Sequence, residues 1–526
     1  MIKTDVKVNI DYTFDGVKSA LCGVLPISKD EIKNLFILKK SLKIVDGKAY
    51  YSLSVAIELS SEREAGLLKM KKKVSPCPVY DFSVPEKSFS CRPVVVGAGP
   101  AGLFAALTLA LSGAKPIVIE RGSAVEERII SKNTLFVNKI LDEESNVQFG
   151  EGGAGAFSDG KLKVGSMDKY KHFVLSSFIE AGAPEDILYT VGAHLGTDKL
   201  PSLVSDIREK IKALGGEFIY SARVYDIEIK NGKLRAVFYR KDGKDEKIET
   251  NTCLLAAGHS AKDTFEMLLS HGVPMQRRGF GIGVRIEHPR EYVNELVYKE
   301  KTLADKVGTA SYHLVTHLTN GRSVYSFCMC PGGTVVAAAS ESGGVVTNGM
   351  SEYARDGENS NAAFLVSVTP SDFESDSLLA GIELQRKIER LAYCVGGGDF
   401  TAPAIRMEDF MKSNEPGISG SVKPTYPCGV FAASVEKYMP SFITDSLRAG
   451  ISDFDDWMRG FYYPDAILTG AETRSTSPIR VIRNEKYMCP MAEGLYPIGE
   501  GAGYAGGIVS SATDGVRAAE SIILNN

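Results

Sequence analysis

One stretch limits what this chain can fold into more than any other: Val94-Val95-Val96-Gly97-Ala98-Gly99-Pro100-Ala101-Gly102. Three β-branched residues read as a buried strand, and the Leu103–Leu111 segment that follows reads as an apolar helix. Between them stands G-x-G-x-x-G. In that spacing Gly97 permits a tight turn, Gly99 lets backbone approach a pyrophosphate, and Gly102 lets helix and strand pack closely. The helix N-terminus then offers amide donors and a positive dipole to the phosphates. A second strand, Pro116-Ile117-Val118-Ile119-Glu120, ends on an acid 23 residues after Gly97, placed to accept hydrogen bonds from an adenosine ribose. Residues 93–114 carry no charge and could span a bilayer by length. Their early glycines and proline instead give strand, loop and buried helix, so no membrane span is expected.

Composition excludes more than it assigns. A net charge of −4 over 526 residues provides no global basic field for nucleic acid or anionic membrane. Lys69, Lys71, Lys72 and Lys73 form a local basic run that a solvated face explains. The N-terminus lacks the apolar core of a secretory signal. Nine scattered cysteines form no metal-type CxxC pair, which fits reduced thiols and a cytoplasmic location.

Which dinucleotide is bound follows from resemblance. Glu120-Arg121-Gly122 is the E-R-G ending seen in flavoproteins of the glutathione reductase superfamily. Cys253–Gly258 resembles that superfamily's apolar strand ending in A-T-G, which passes the flavin nucleotide at Ala257 and Gly258. Gly494–Gly503 resembles its C-terminal motif, with Gly499 and with Glu500 in the place of the acid that holds a ribityl hydroxyl. Gly506-Gly507-Ile508 then opens a helix whose first amides can face the flavin pyrimidine. A further block, Phe149 to Leu162 with Gly152, Gly153 and Ala154 at its centre, is similar to the signature of a family of poorly characterised bacterial FAD-dependent dehydrogenases. The segments His194–Lys199, Ala257–Ala261, Tyr325–Gly333 and Glu472–Arg474 agree with it. One departure is Lys262, where that family has Arg, which keeps the charge but loses a planar fork. The resemblance implies FAD as cofactor, with Arg128 contacting its phosphate or ribose and Val224 meeting the adenine.

The expected fold class is α/β: a discontinuous Rossmann-type FAD-binding domain (93–165, 190–262 and 480–526) with an inserted α+β substrate domain (263–479). A small N-terminal α+β domain (1–75) precedes it through an extended linker (76–92). In the N-terminal unit, Val6–Tyr12 and Lys48–Leu59 alternate as strands. Ser28–Lys40 reads as a capped helix, Asp46-Gly47 as a turn, and Ser61–Lys73 as a short charged helix. Only one dinucleotide fingerprint is found; Gly396-Gly397-Gly398 follows a helix rather than a strand.

Candidates for the chemistry are fewer. Lys161 directly follows the glycine-rich loop, where a cation could stabilise charge on reduced flavin, although a loop-anchoring ion pair also explains it. His259 follows Ala-Ala-Gly, in an orienting or an acid–base role. Cys328 and Cys330 are a redox pair or core packing, since C-x-C thiols on one strand share a face. Glu472 and Arg474 either bind an anionic head group or pair with each other in the interior. The expected function is a two-electron FAD-dependent oxidoreductase acting on an unidentified small molecule, with NAD(P)H as a transient donor. The readings kept beside it are an FAD-dependent tRNA-modification factor and a non-catalytic flavin sensor or scaffold.

Overall fold

A computed structural model describes residues 1–45, 48–69 and 73–525. The Asp46-Gly47 turn and most of the basic run at Lys69–Lys73 lie outside the described residues.

The N-terminal unit is one antiparallel sheet in the order Asn34–Val45, Lys48–Glu58, Ile2–Asn9, Ser75–Pro76. Helices Phe14–Val24 and Ser61–Leu68 bury Val17, Leu21 and Leu67 with Val6, Leu53 and Val55 of the sheet. The helix expected over 28–40 is not formed. Only Lys29–Glu31 makes a 3-10 turn, and a strand begins at Asn34. Its ladder to Lys48–Glu58 outweighs helical propensity in a short apolar run that suits either state. The helix that does exist, Phe14–Val24, is capped by Thr13, whose side chain accepts from the Gly16 amide. Residues 77–93 form no regular element, and Phe82, Val84 and Phe89 rest against the neighbouring core.

Next comes a five-stranded parallel sheet in the order Leu495–Pro497, Cys253–Leu255, Val94–Val96, Ile117–Ile119, Glu217–Ile219. Alternate residues leave it in opposite directions. Val95, Val118 and Leu254 enter a core with helices Pro100–Leu111, Lys169–Glu180, Leu200–Ala213 and Ile508–Asn525. Val94, Val96, Ile117, Ile119 and Leu255 enter a second core under a three-stranded meander over 222–249. Burial on both faces is why Val94–Val96, Ile117–Ile119 and Cys253–Leu255 read as unbroken apolar runs, unlike the edge strand Glu217–Ile219. Helix Lys169–Glu180, which no sequence motif assigned to a domain, buries Val174, Leu175 and Phe178 in the first of these cores.

The inserted region is built on a seven-stranded mixed sheet, centred on Asn359–Val368, Phe280–Pro289 and Ile467–Glu472. Helices Ala380–Val395 and Ser441–Trp457 supply Leu384, Ile388, Leu447 and Phe454 to its core. A two-stranded link, Met275–Arg277 with Ile479–Val481, joins the chain's exit from the parallel-sheet domain to its return. The α/β class with a discontinuous Rossmann-type domain is therefore borne out. Among the described residues no helix is long and apolar enough to cross a membrane.

Candidate functional site

The cavity opens at the carboxyl ends of the parallel strands, where ligands of open α/β sheets bind. Strand Val94–Val96 stops at Gly97, whose φ of +97° only glycine adopts without strain, and its amide donates to the Ile119 carbonyl at 2.8 Å. A Cβ on Gly97 would come within 2.5 Å of the Ala256 carbonyl, and one on Gly102 within 1.9 Å of the Gly97 carbonyl. Helix Pro100–Leu111 begins without a side-chain cap, leaving its first amides for a ligand. Gly99, Pro100 and Ala101 line the cavity, whereas Ala98 and Gly102 stand behind them and pack.

Glu120 is 5% exposed on the cavity wall. Its carboxylate accepts from the amides of Ala98 (2.7 Å), Gly122 (3.0 Å) and Gly150 (3.0 Å), so it knits the first loop to the glycine-rich loop. Arg121 pairs with Glu144 at 2.7 Å and Asp263 at 3.0 Å and lies over the Phe149 ring. Gly152 is tied to Ala98 by a 2.8 Å backbone bond, which brings Gly153 and Ala154 to the wall beside Gly99. Val224 lines the same cavity, as do Ala257, Gly258, Gly499, Glu500, Gly506, Gly507 and Ile508. Segments far apart in the chain thus meet around one space.

Arg128 is a correction. The sequence reading placed it on the cofactor, but it is fully buried and does not line the cavity. Its guanidinium donates to the carbonyls of Asn146 (2.8 Å), Val147 (2.8 Å), Glu151 (2.7 Å) and Gly153 (2.8 Å). Burial pushes its pKa down to about 10. A rigid five-donor fork satisfies a turn's inward carbonyls better than any other side chain, so Arg128 shapes the loop that forms the wall.

A residue the sequence reading missed is Gln148. It borders the cavity, receives the Ser260 hydroxyl on its Oε1 at 3.2 Å, and leaves a buried Nε2 without a partner among the described residues. An orphaned donor on a cavity wall marks a place for an acceptor. Nothing in the local sequence distinguishes it from a core glutamine.

The opposite wall joins the seven-stranded sheet, with Phe327, Cys328 and Cys330 from one strand and Glu472 from another, to a separate two-stranded sheet whose strand Thr347–Met350 supplies Asn348 and Gly349. Glu472 and Arg474 do not pair with each other. Glu472 takes two bonds from Arg285, at 3.0 and 2.6 Å, and one from Thr347. Arg474 instead meets Glu389 bidentately at 2.9 Å and donates to Ser340. Strand alternation would put these two on one face, but the strand Ile467–Glu472 ends at Glu472, and Arg474, beyond it, turns toward the helix Ala380–Val395. Lys262, 2% exposed, reaches Glu341 at 3.0 Å and Glu389 at 3.2 Å. A point-charge ammonium suits two carboxylates on separate elements, so the absent fork is not missed here.

His259 lines the cavity with its Nδ1 3.0 Å from the Ser260 hydroxyl. Burial, then the Arg474 and Lys262 cations, push it down to about 4, so it is neutral at pH 7. Glu500 goes the other way, raised by burial to about 7. Cys328 and Cys330 are free thiols on the wall. A bulge between Phe327 and Cys330, with Cys328 at a φ of +39°, interrupts the alternation expected of them. Burial raises both thiols, Cys330 to about 11, against the pull of Lys161 and Arg285. They are therefore poor nucleophiles near neutrality.

Two family models match. Residues 92–283 match the pyridine nucleotide-disulphide oxidoreductase model, and residues 279–475 match the model described as FAD-dependent protein, C-terminal domain-like. An uncharacterized protein of Clostridium beijerinckii is 43% identical over 525 residues, covering 99% of this chain and 98% of that protein. Among solved structures, a mutant of Escherichia coli quinol fumarate reductase FrdA aligns at 14% identity over 83% of this chain and 70% of its own, with a TM-score of 0.36. A geranylgeranyl bacteriochlorophyll reductase-like protein of Thermoplasma acidophilum aligns at 12% over 82% and 78%, with a TM-score of 0.35. The chain thus belongs to the family of FAD-dependent proteins, of oxidoreductase type, that the two models and the clostridial relative delimit.

Proposed function

We propose that the chain holds FAD along the cavity and uses it for two-electron transfer to or from a small molecule that enters against the seven-stranded sheet. The observation that carries this is the convergence of three glycine-dense segments, at 97–102, 150–160 and 499–507, and the strand exit at Ala257-Gly258 on one space whose far wall carries Phe327, Asn348 and Glu472. The residues present fit the cofactor. Glycines approach where a Cβ would collide, and Gln148 keeps an unpartnered donor on the wall. When bound, FAD supplies hydride acceptance and donation at its flavin ring.

Each residue then has a task it can perform as placed. The open amides of helix Pro100–Leu111 hold negative phosphate oxygens, and Glu120 has lone pairs left for a ribose hydroxyl beside its three amide bonds. Val224 packs against the adenine end. Glu500 accepts or donates a hydrogen bond to a ribityl hydroxyl according to pH, because its pKa stands at about 7. The first amides of helix Ile508–Asn525 favour negative charge on the pyrimidine side. His259, neutral at pH 7, orients by hydrogen bonding rather than by giving up a proton. Lys161 adds positive charge on the side from which the substrate arrives. NAD(P)H serves as a transient donor docking on the same open side, and the chain works as a cytoplasmic protein.

The test is anaerobic. Purified protein should be yellow and should bleach on adding NADH or NADPH, and a metabolite panel should restore the colour. A well-folded preparation that stays colourless when offered FAD overturns the reading.

A further inference from the structure

Beside Lys161 the cavity carries a second ammonium, Lys163, to which the cofactor reading gives no task. The chain at 160–162 is pinned on both sides: Leu195 donates its amide to the Gly160 carbonyl at 3.1 Å, and Leu162 donates to the Ala193 carbonyl at 2.9 Å. Leu162 is 2% exposed and enters the core. Alternation therefore sends both neighbours, Lys161 and Lys163, to the other side, and both line the cavity. The acid beside them is already taken. Asp159 accepts from Arg355 at 2.9 and 2.5 Å and from the Ser351 hydroxyl. Burial alone would raise its carboxyl, but Arg355 and then Lys161 outweigh that and hold it low. Lys161 remains 3.9 Å from that carboxylate, beyond hydrogen-bond distance. Among the described residues, the one partner of the Lys163 ammonium is the Phe327 ring, 5.5 Å from its nitrogen. Arg285, buried behind this corner, is neutralised by its bidentate bond to Glu472.

Two like charges on one concave, partly desolvated wall repel each other and focus a field that attracts anions. We infer that the unidentified substrate is a small carboxylate whose anionic group sits between Lys161 and Lys163 and whose body lies against Phe327. This rests on the cofactor reading, because it supposes that the cavity beside this corner holds the flavin. The phosphate of a pyridine nucleotide is the other anion that could come here. A carboxylate is favoured because the corner offers two separate ammonium groups and, among the described residues, neither a free arginine fork nor an exposed helix N-terminus of the kind that binds phosphate.

The experiment uses the FAD-loaded chain and follows the flavin's visible absorbance while acetate, benzoate and succinate are titrated, each against its neutral amide, and then against inorganic phosphate. At least one carboxylate should perturb the spectrum with a half-saturation at least about tenfold below its amide, and the effect should weaken as salt rises from roughly 20 to 200 mM. The double variant Lys161→Gln with Lys163→Gln should lose that preference while keeping its FAD. The double variant Lys161→Arg with Lys163→Arg should retain it. Amides that bind as well as acids overturn the inference, as does a glutamine variant that keeps the preference. It is equally overturned if phosphate outcompetes every acid, or if a yellow protein's spectrum answers none of them. A colourless protein overturns the cofactor reading itself, so the two failures are told apart.

Discussion

The two walls of the cavity are built on opposite principles. The wall of the parallel-sheet domain brings bare backbone to the space at Gly97, Gly99, Gly153, Gly258 and the start of two helices, between side chains such as Glu120, Gln148 and Val224. The wall of the seven-stranded sheet is mostly side chain, held by buried ion pairs whose partners are far apart in sequence, Arg285 with Glu472 and Arg474 with Glu389. A backbone wall can hold a cofactor whose shape is shared by many proteins. A side-chain wall can be redrawn residue by residue, and its Phe327 faces the corner that Lys161 and Lys163 charge from the first domain. Lys262 joins the two, since it opens the helix Lys262–Ser270 of the first domain and ends on Glu341 and Glu389 of the second.

If that comparison is right, the largest effect should come from the joint. Glu389 is 2% exposed, receives Arg474, Lys262 and the Thr473 hydroxyl, and is held far below the ordinary carboxylate range because these cations outweigh the cost of burial. Glu389→Gln leaves two cations short of a counter-charge and should cost about 3–5 kcal/mol in urea unfolding. Because the folded pKa is depressed, the stability Glu389 brings is present above about pH 4.5 and drains away as pH falls, so wild type and variant should converge in acid. A loss under about 1 kcal/mol would mean that the walls are held together elsewhere.

Second in size is the backbone wall itself. Gly102→Ala drives a methyl into the Gly97 carbonyl and should cost about 1–3 kcal/mol. Its sharper readout is colour: the loop must move, and FAD should be lost on gel filtration. Retention of stoichiometric FAD would contradict the role given to close strand–helix packing.

This asymmetry also sets what could be read from the sequence. The backbone wall was legible because its chemistry demands glycine at fixed offsets, and glycine has no other common reason to recur as it does at 97, 99 and 102. Glu120, Gly153 and Glu500 followed from the same logic and do face one cavity. The other wall was not legible. Arg474 next to Glu472 suggested a local pair, yet each is satisfied by a partner more than 80 residues away. Arg128 was misjudged for the same reason, since four carbonyls converging on one guanidinium leave no trace in composition. Residues 34–40, the first part of the strand Asn34–Val45, read as helix because a short apolar run suits both states, and only the ladder to Lys48–Glu58 decides.

A third, smaller effect separates position from proton transfer. His259 has a folded pKa of about 4 against an ordinary 6.5, so the unfolded chain binds a proton that the folded one refuses. Its contribution is intact above about pH 6.5 and is lost as pH falls toward 4, with a slope of at most about 1.4 kcal/mol per pH unit. His288 is lowered similarly, so the informative quantity is the difference between wild type and His259→Asn. That difference should change with pH over this window and level off outside it. Should it be flat throughout, the imidazole is not buried as a neutral group.

The smallest expected change is also the one that tests why glycine stands in the C-terminal turn. At Gly102 a methyl meets protein. At Gly506 a Cβ meets no protein atom within 4 Å, and its φ lies outside the left-handed region, although the residue lines the cavity. Protein stability therefore gives no reason for glycine there, and Gly506→Ala should leave the urea midpoint of the FAD-free chain within about 0.5 kcal/mol of wild type. A reason remains only if something other than protein fills the space. The FAD dissociation constant should then rise by about tenfold, as a methyl group intrudes on the ligand. Loss of affinity without loss of stability would assign Gly506 to the cofactor, whereas unchanged affinity would show that the turn faces solvent and that the backbone wall ends before it.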